Sequence, residues 1–155
     1  MNNHDKKYMQ MALAEARKAY QQAEVPIGAV VVCNDRVVGS GFNRREQTQD
    51  PTSHAEIIAL KEAAKEEASW RLEECQLYVT LEPCPMCAGA VLQSRIKRIV
   101  FAARDPKAGA VKSLYQLLDD DRFNHQVEVV EGVMKDEAAQ LLKKFFRELR
   151  SRKDG

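Results

Sequence analysis

Apolar residues recur at Met9, Leu13, Ala16 and Tyr20, the spacing of one helical face. A helix is therefore predicted from Lys6 to about Gln22, with Asp5 as its N-cap. Pro26 and Gly28 interrupt that pattern. Ile27-Gly28-Ala29-Val30-Val31-Val32 then reads as a buried strand, Asn34-Asp35 as a two-residue turn, and Arg36-Val37-Val38-Gly39 as the returning strand of a hairpin. Residues 41–52 are polar, contain Pro51 and read as a loop. A second helix is predicted from Ser53 to Ala68, with Ile57, Leu60 and Ala64 on one face. Leu77-Tyr78-Val79-Thr80 is a strand stopped by Pro83, and Cys84 to Ser94 is a helix entered through Pro85. Ile99-Val100-Phe101-Ala102 is the next strand. A loop with Pro106 and Gly109 follows, then a short helix over Leu114 to Leu118 and a strand over Val127 to Val130. The last helix runs from Asp136 to Arg150, with Ala139, Leu142, Phe146 and Leu149 as its stripe. Five strands alternating with helices predict an α/β chain, one mixed sheet covered by helices on both faces.

Length and composition narrow this little. The 155 residues suit one domain that buries about two-thirds of its unfolded surface without disulfide staples. No apolar run approaches the roughly 20 residues of a membrane helix, and the opening Met1-Asn2-Asn3-His4-Asp5-Lys6 has no signal-peptide core, so a cytoplasmic address is expected. The net charge of +1 excludes a protein that coats nucleic acid through bulk charge.

The cysteines carry more. Cys33 and Cys75 each stand beside a β-like run and are expected to be inert buried thiols. Cys84 and Cys87 form a C-x-x-C at the entry of a helix, 30 residues after His54-Ala55-Glu56. Each piece has a plain reading of its own. Ser53-His54-Ala55-Glu56 matches a capping box, His54 could be a hydrogen-bonded buried histidine, and the Cys pair could be a thioredoxin-like redox couple. Joined, they suggest His54, Cys84 and Cys87 as three zinc ligands, because cysteines at i and i+3 of a first helical turn share one side. Three protein ligands leave one tetrahedral position for water, the pattern of a catalytic zinc. Two thiolates and a neutral imidazole cancel the charge of the ion, so its water needs a neighbouring base. Glu56 is the candidate. The redox reading leaves His54 and Glu56 idle.

H-A-E followed by P-C-x-x-C resembles the signature of the zinc-dependent nucleoside and nucleobase deaminases. Within them the chain is similar to the bacterial tRNA-specific adenosine deaminases, through Glu24-Val25-Pro26-Ile27-Gly28-Ala29-Val30, Gly41-Phe42-Asn43, Asp50-Pro51-Thr52, Thr80-Leu81-Glu82-Pro83-Cys84, the loop Ala103 to Ala110, Asn124-His125 and Phe145-Phe146-Arg147. One departure is Lys112, where that family's loop has glycine. The resemblance implies a single zinc-dependent deaminase domain over 1–155, with a three-layer α/β/α, cytidine-deaminase-like fold and one zinc per subunit. It also implies a homodimer and hydrolytic deamination of adenosine to inosine at the wobble position of a tRNA anticodon. The roles are carried over from that family. A zinc-activated water attacks C6 of adenine with Glu56 as proton shuttle, and Asn43 hydrogen-bonds the flipped base. Glu24, Val25, Pro26 and Ile27 form a pocket wall, Asp105 and Lys107 lie on a loop that meets RNA, and Phe145, Phe146 and Arg147 approach the anticodon stem-loop.

The charge is also sorted along the chain. Residues 91–112 hold six basic side chains against Asp105, and residues 141–155 hold Lys143, Lys144, Arg147, Arg150, Arg152 and Lys153 against Glu148 and Asp154. Two basic segments meeting on one face would suit a phosphate backbone. They could equally be solvated faces. The competing readings are a small-molecule deaminase of the same fold, acting on guanine, cytosine or a nucleotide, and a non-enzymatic zinc or RNA-binding module whose site Cys33 or Cys75 would close.

Overall fold

A computed structural model describes residues 2–154. Met1, Gly155 and the side chains of 153 and 154 lie outside that description, among them the Lys153 and Asp154 charges of the tail. The elements are α1 (Asn3–Gln21), β1 (Gly28–Cys33), β2 (Arg36–Phe42), α2 (Arg45–Thr48), α3 (Ala55–Glu66), β3 (Cys75–Leu81), α4 (Pro85–Gln93), β4 (Arg98–Ala103), a 3₁₀ turn (Leu117–Asp119), β5 (Glu128–Glu131) and α5 (Lys135–Asp154). The five strands form one mixed sheet in the order β2-β1-β3-β4-β5. β1 runs antiparallel to β2 and β3, while β3, β4 and β5 are parallel.

Alternate residues of the strands feed two cores. Ala29, Val31, Leu77, Val79, Ile99 and Phe101 pack against Ala59 and Ala63 of α3 and Ala88 and Val91 of α4. Val30, Val32, Tyr78, Val100 and Ala102 pack on the other face against Met9, Ala12 and Leu13 of α1 and Ala138 of α5. The result is three layers, as the alternation of strand and helix predicts. Asn34 and Asp35 both take positive φ (51° and 62°), the conformation of a type I′ hairpin.

Several local expectations are corrected. Asp5 is not the cap of α1. Asn2 holds that place, its side chain accepting from the His4 N–H at 2.8 Å. Asp5 lies inside the helix, 3% exposed, and its carboxylate accepts two hydrogen bonds from the Arg98 guanidinium (2.8 and 2.7 Å) and one from the Tyr78 hydroxyl (2.7 Å). Arg98 also donates to the Gln76 side chain at 2.7 Å, so one buried ion pair ties α1 to the starts of β3 and β4. Cys33 and Cys75 are not separate thiols. The β1–β3 register sets them opposite each other, Cα atoms 4.3 Å apart, and they form a disulfide that spans 42 residues. The polar stretch read as loop contains α2. The short helix expected over Leu114 to Leu118 is instead the 3₁₀ turn.

The sheet also sets the height of α3. A Cβ at Gly41 of β2 would lie 2.7 Å from the Ala55 carbonyl oxygen and 2.8 Å from the Ile58 Cβ. Only glycine lets the first turn of α3 come this close.

Candidate active site

The parallel strands β3 and β4 end at one edge of the sheet, where α/β folds commonly bind ligands. The antiparallel register of β1 and β2 brings the start of β1 and the end of β2 to that edge too, with Gly28 opposite Phe42. A cleft of about 740 Å³ opens there.

Two helix starts meet at its floor. His54 is the N-cap residue of α3 and Cys84 that of α4, and neither helix has a side-chain cap. The capping-box reading therefore fails: Ser53 Oγ accepts from the Thr48 hydroxyl at 3.1 Å instead. Pro85 occupies the first turn of α4 and aims the chain into it. His54 Nδ1 lies 3.6 Å from the Sγ atoms of both Cys84 and Cys87, and all three donor atoms fall within 4.8 Å of one another. Zinc bonds of ~2.3 Å to sulfur and ~2.05 Å to nitrogen at the tetrahedral angle require N···S edges of roughly 3.5 Å. The trio thus fits a tetrahedral zinc with one position left over. The Cys33–Cys75 pair is sealed as a disulfide and adds no fourth ligand.

The electrostatics suit such a site. The hydrogen bond from Cys87, with His54 beside it, pulls the Cys84 thiol down to about 4, while that bond and burial push Cys87 up. The Cys84 sulfur also raises His54. Glu56, in the first turn of α3 and 4% exposed, is pushed up to about 7 by burial.

Of the other expected site residues, Val25, Ile27, Asn43, Asp105, Lys107 and Phe146 line the cleft. Asn43 Nδ2 donates to the Val25 carbonyl at 3.2 Å, and its Oδ1 accepts from the Arg45 N–H at 3.2 Å. One amide hydrogen and one lone pair remain for a ligand. Glu24, Pro26, Phe145 and Arg147 do not reach the wall. Glu24 is 1% exposed and accepts the N–H groups of Glu46 and Gln47 (3.1 and 2.7 Å), holding α2 from beneath. Pro26 is buried, Phe145 packs edge-on against Tyr20 and Phe146, and Arg147 is exposed away from the cleft.

The structure adds Arg45, Leu81, Glu82, Arg104, Ala108, Leu142 and Lys143 to the lining. Arg45 sits in a helix of four residues, too short to leave a periodic signal. Leu142 and Lys143 join Phe146 at helical spacing on α5; the sequence offers Phe146 and Lys143 as RNA-facing residues and Leu142 as part of an apolar stripe. Arg104 is held by Glu131 (2.8 and 3.0 Å). Among the described residues, Arg45, Lys107 and Lys143 form no ion pair. Arg45, Lys107 and Lys143 therefore rim, without ion-pair partners among the described residues, a cleft whose floor carries a His-Cys-Cys trio that could hold a metal ion and a buried carboxylate.

Comparison with known proteins agrees with this geometry. The MafB19-like deaminase family matches residues 2–150. The chain is 52% identical over 149 residues to a tRNA-specific adenosine deaminase of Bacillus subtilis (strain 168), covering 96% of this chain and 92% of that protein. A solved structure from work on A-to-I editing by tRNA:A34 deaminases superposes with a TM-score of 0.84 at 42% identity, covering 88% of this chain and 99% of that one. A guanine deaminase from Nitrosomonas europaea superposes with a TM-score of 0.79 at 25% identity, covering 90% and 83%.

Proposed function

This chain belongs to the family of tRNA-specific adenosine deaminases, and from that membership we propose that it hydrolyses adenosine to inosine at the wobble position of a tRNA anticodon. Water and adenosine are consumed, and inosine and ammonia leave. The observation that carries the reading is the join of metal trio, buried Glu56 and cationic rim in one cleft.

His54, Cys84 and Cys87 would hold the zinc, one per subunit. When bound, zinc supplies a Lewis acid that makes water a nucleophile near neutral pH. Glu56 takes the proton of the attacking water, delivers it to N1 of the adenine as C6 becomes tetrahedral, and then assists the departure of ammonia. Its burial keeps bulk water from competing for that proton. Asn43 orients the extruded base with the amide hydrogen and lone pair it has to spare. Val25, Ile27 and Leu81 supply the apolar wall, while Lys107, Arg45 and Lys143 meet the flanking phosphates and Phe146 offers a stacking face. A free base carries no phosphate and would leave those three cations without a partner, and a mononucleotide would occupy one of them, which favours RNA over the small-molecule reading. Glu24 and Pro26 support the wall from behind, and Phe145 and Arg147 shape the helix that presents Phe146.

The chain works as one deaminase domain, in the cytoplasm where its substrate resides, and as a homodimer. A groove of about 470 Å³ between α3 and α4, lined by Ile57, Leu60, Ala64 and Ala90 beside the 57% exposed Trp70, supports the dimer. No helix among the described residues is long and apolar enough to cross a membrane.

The test is inosine formation, mapped by sequencing, in a synthetic anticodon stem-loop carrying A34. Ammonia release from free guanine, cytosine and adenosine is measured beside it. Inosine at position 34 alone is expected, abolished by Glu56→Ala with the metal retained. Turnover of free bases only would replace this reading by the small-molecule one.

A further inference from the structure

The acidic residue that precedes Pro83-Cys84 takes no part in the chemistry above, yet it is among the most heavily hydrogen-bonded groups in the molecule. Glu82 is 2% exposed. Its Oε1 accepts from the Asp105 N–H at 3.0 Å and from the Ser113 hydroxyl. Its Oε2 accepts from the N–H groups of Val111 (3.0 Å), Lys112 (2.7 Å) and Ser113 (2.9 Å). Five donors meet a carboxylate with about four lone-pair sites, so none remains for a substrate. All five come from one loop, residues 105–113, which bridges the end of β4 and the cleft.

The far half of that loop is also packed, Ala110 and Val111 being buried in the core on the α3 and α4 face, while Lys107 stands on its exposed half. The Ala110 N–H reaches the Pro83 carbonyl at 2.9 Å, and the Asp105 side chain accepts from the N–H groups of Lys107 and Ala108 at 3.0 and 3.2 Å. The loop lies so tightly on Glu82 that a Cβ at Gly109 would fall 2.3–2.5 Å from its carboxylate atoms. The carboxylate cannot swing aside without giving up its donors. The cradle also explains how Lys112 is accommodated where the family resemblance implies glycine. Its φ is not positive, and its N–H is one of the five bound to Glu82.

We propose that Glu82 is a positioning residue for RNA: it holds the 105–113 loop in the one shape that presents Lys107 to a phosphate of the anticodon loop. This rests on the deaminase reading above. Glu82 contributes to substrate binding through Lys107 and does not touch the reacting base.

The test is a double-mutant cycle on the metal-loaded full-length protein, with Glu82→Gln, Lys107→Ala and both together, assayed on the A34 stem-loop. Wild-type turnover is measured first, so that failure of the deaminase reading shows there and not in the variants. Gln keeps the shape but sets an amide N–H₂ against backbone N–H donors. We expect each single change to raise KM about tenfold, the size of one charge-assisted hydrogen bond, with kcat within about threefold and one zinc per chain retained. The double variant should be no worse than Glu82→Gln alone, because the lysine is already misplaced. Both singles should also reduce the slope of log KM against log salt by about 0.7–0.9, one phosphate contact. Effects that multiply in the double variant, an unchanged KM, or loss of zinc from Glu82→Gln would overturn the proposal. Ser113→Ala removes one donor and leaves the carboxylate, so it serves if Glu82→Gln does not fold. A KM rise of about threefold that vanishes in the Lys107→Ala background supports the proposal. An unchanged KM or a multiplying effect refutes it.

Discussion

The Asp5–Arg98 pair offers a measurable test of how the layers are joined. Replacing Arg98 by Met keeps the aliphatic stem but removes the guanidinium, leaving the Asp5 carboxylate with the Tyr78 hydroxyl alone. Breaking a buried ion pair from one side costs about 3–5 kcal/mol. The Arg98 side chain is 15% exposed and water relieves part of that, so the lower end, about 3 kcal/mol, is the expectation. For a chain of this length that is roughly 6–12 °C in Tm. The pH dependence carries the sign. In the native protein Arg98 holds the Asp5 carboxyl below its ordinary value. This stabilisation is therefore present above the unfolded carboxylate range and lost as pH falls through the lower folded value. In Arg98→Met, burial, the largest influence left, is opposed by the Tyr78 hydrogen bond but no longer by the guanidinium, so the folded value rises from its native position, and the penalty is largest at neutral pH and fades as pH falls toward about 4. Urea unfolding followed by far-UV circular dichroism at pH 7 and pH 4.5 should show the two proteins converging at the lower pH. Asp5→Asn combined with Arg98→Met should recover most of the loss. A difference below about 1 kcal/mol at pH 7, or one that does not shrink on acidification, would refute the pair as a buried tie.

Three further outcomes are expected. Removing metal with a chelator should abolish deamination, and adding zinc back should restore it, while Cys84→Ser should show metal binding weakened beyond rescue at stoichiometric zinc, read by inductively coupled plasma analysis. Cys33→Ser and Cys75→Ser should keep one zinc and full activity, because the pair lies on β1 and β3 away from the cleft. Under oxidising conditions each should lose about 2–4 kcal/mol of stability, the constraint of a closed 42-residue loop, and dithiothreitol should remove that difference in thermal melts. Gly41→Ala should push α3 off the sheet by its first turn, moving His54 and Glu56 together. We expect kcat/KM to fall by about 100-fold, the cost of a misplacement near 1 Å, with folded content retained.

The strands and long helices were legible because their periodicity follows from burial on one or two faces. The grouping of His54, Cys84 and Cys87 was legible because residue type and spacing at two helix starts are local chemistry. Arg45 and Glu82 were not. Arg45 lies on a single helical turn, and Glu82 acts through backbone N–H groups more than 20 residues away, which leave no mark on residue identity. Asp5 resembles a cap in the sequence because a carboxylate near a helix start fits capping statistics equally well, yet Asn2 holds that place. Only the fold brings Arg98 within reach. Cys33 and Cys75 look unrelated in the sequence because their pairing depends on the β1–β3 register, which joins strands 42 residues apart and leaves no local mark. Phe145 and Phe146 are adjacent, so on a helix they point about 100° apart and only one can face the cleft.

Helix α1 and helix α5 also fix where this protein can be tethered. Residues 2–5 lie where β3 and β4 begin, roughly 20 Å of strand from the cleft at their far ends. Beyond Phe146, by contrast, only about 12 Å of helix separates the cleft wall from residue 154. A carrier domain, an affinity handle or a surface linker joined ahead of Asn2 leaves the mouth clear. The same cargo joined behind α5 starts only about 12 Å along the helix from Phe146, close enough to crowd the mouth of the cleft.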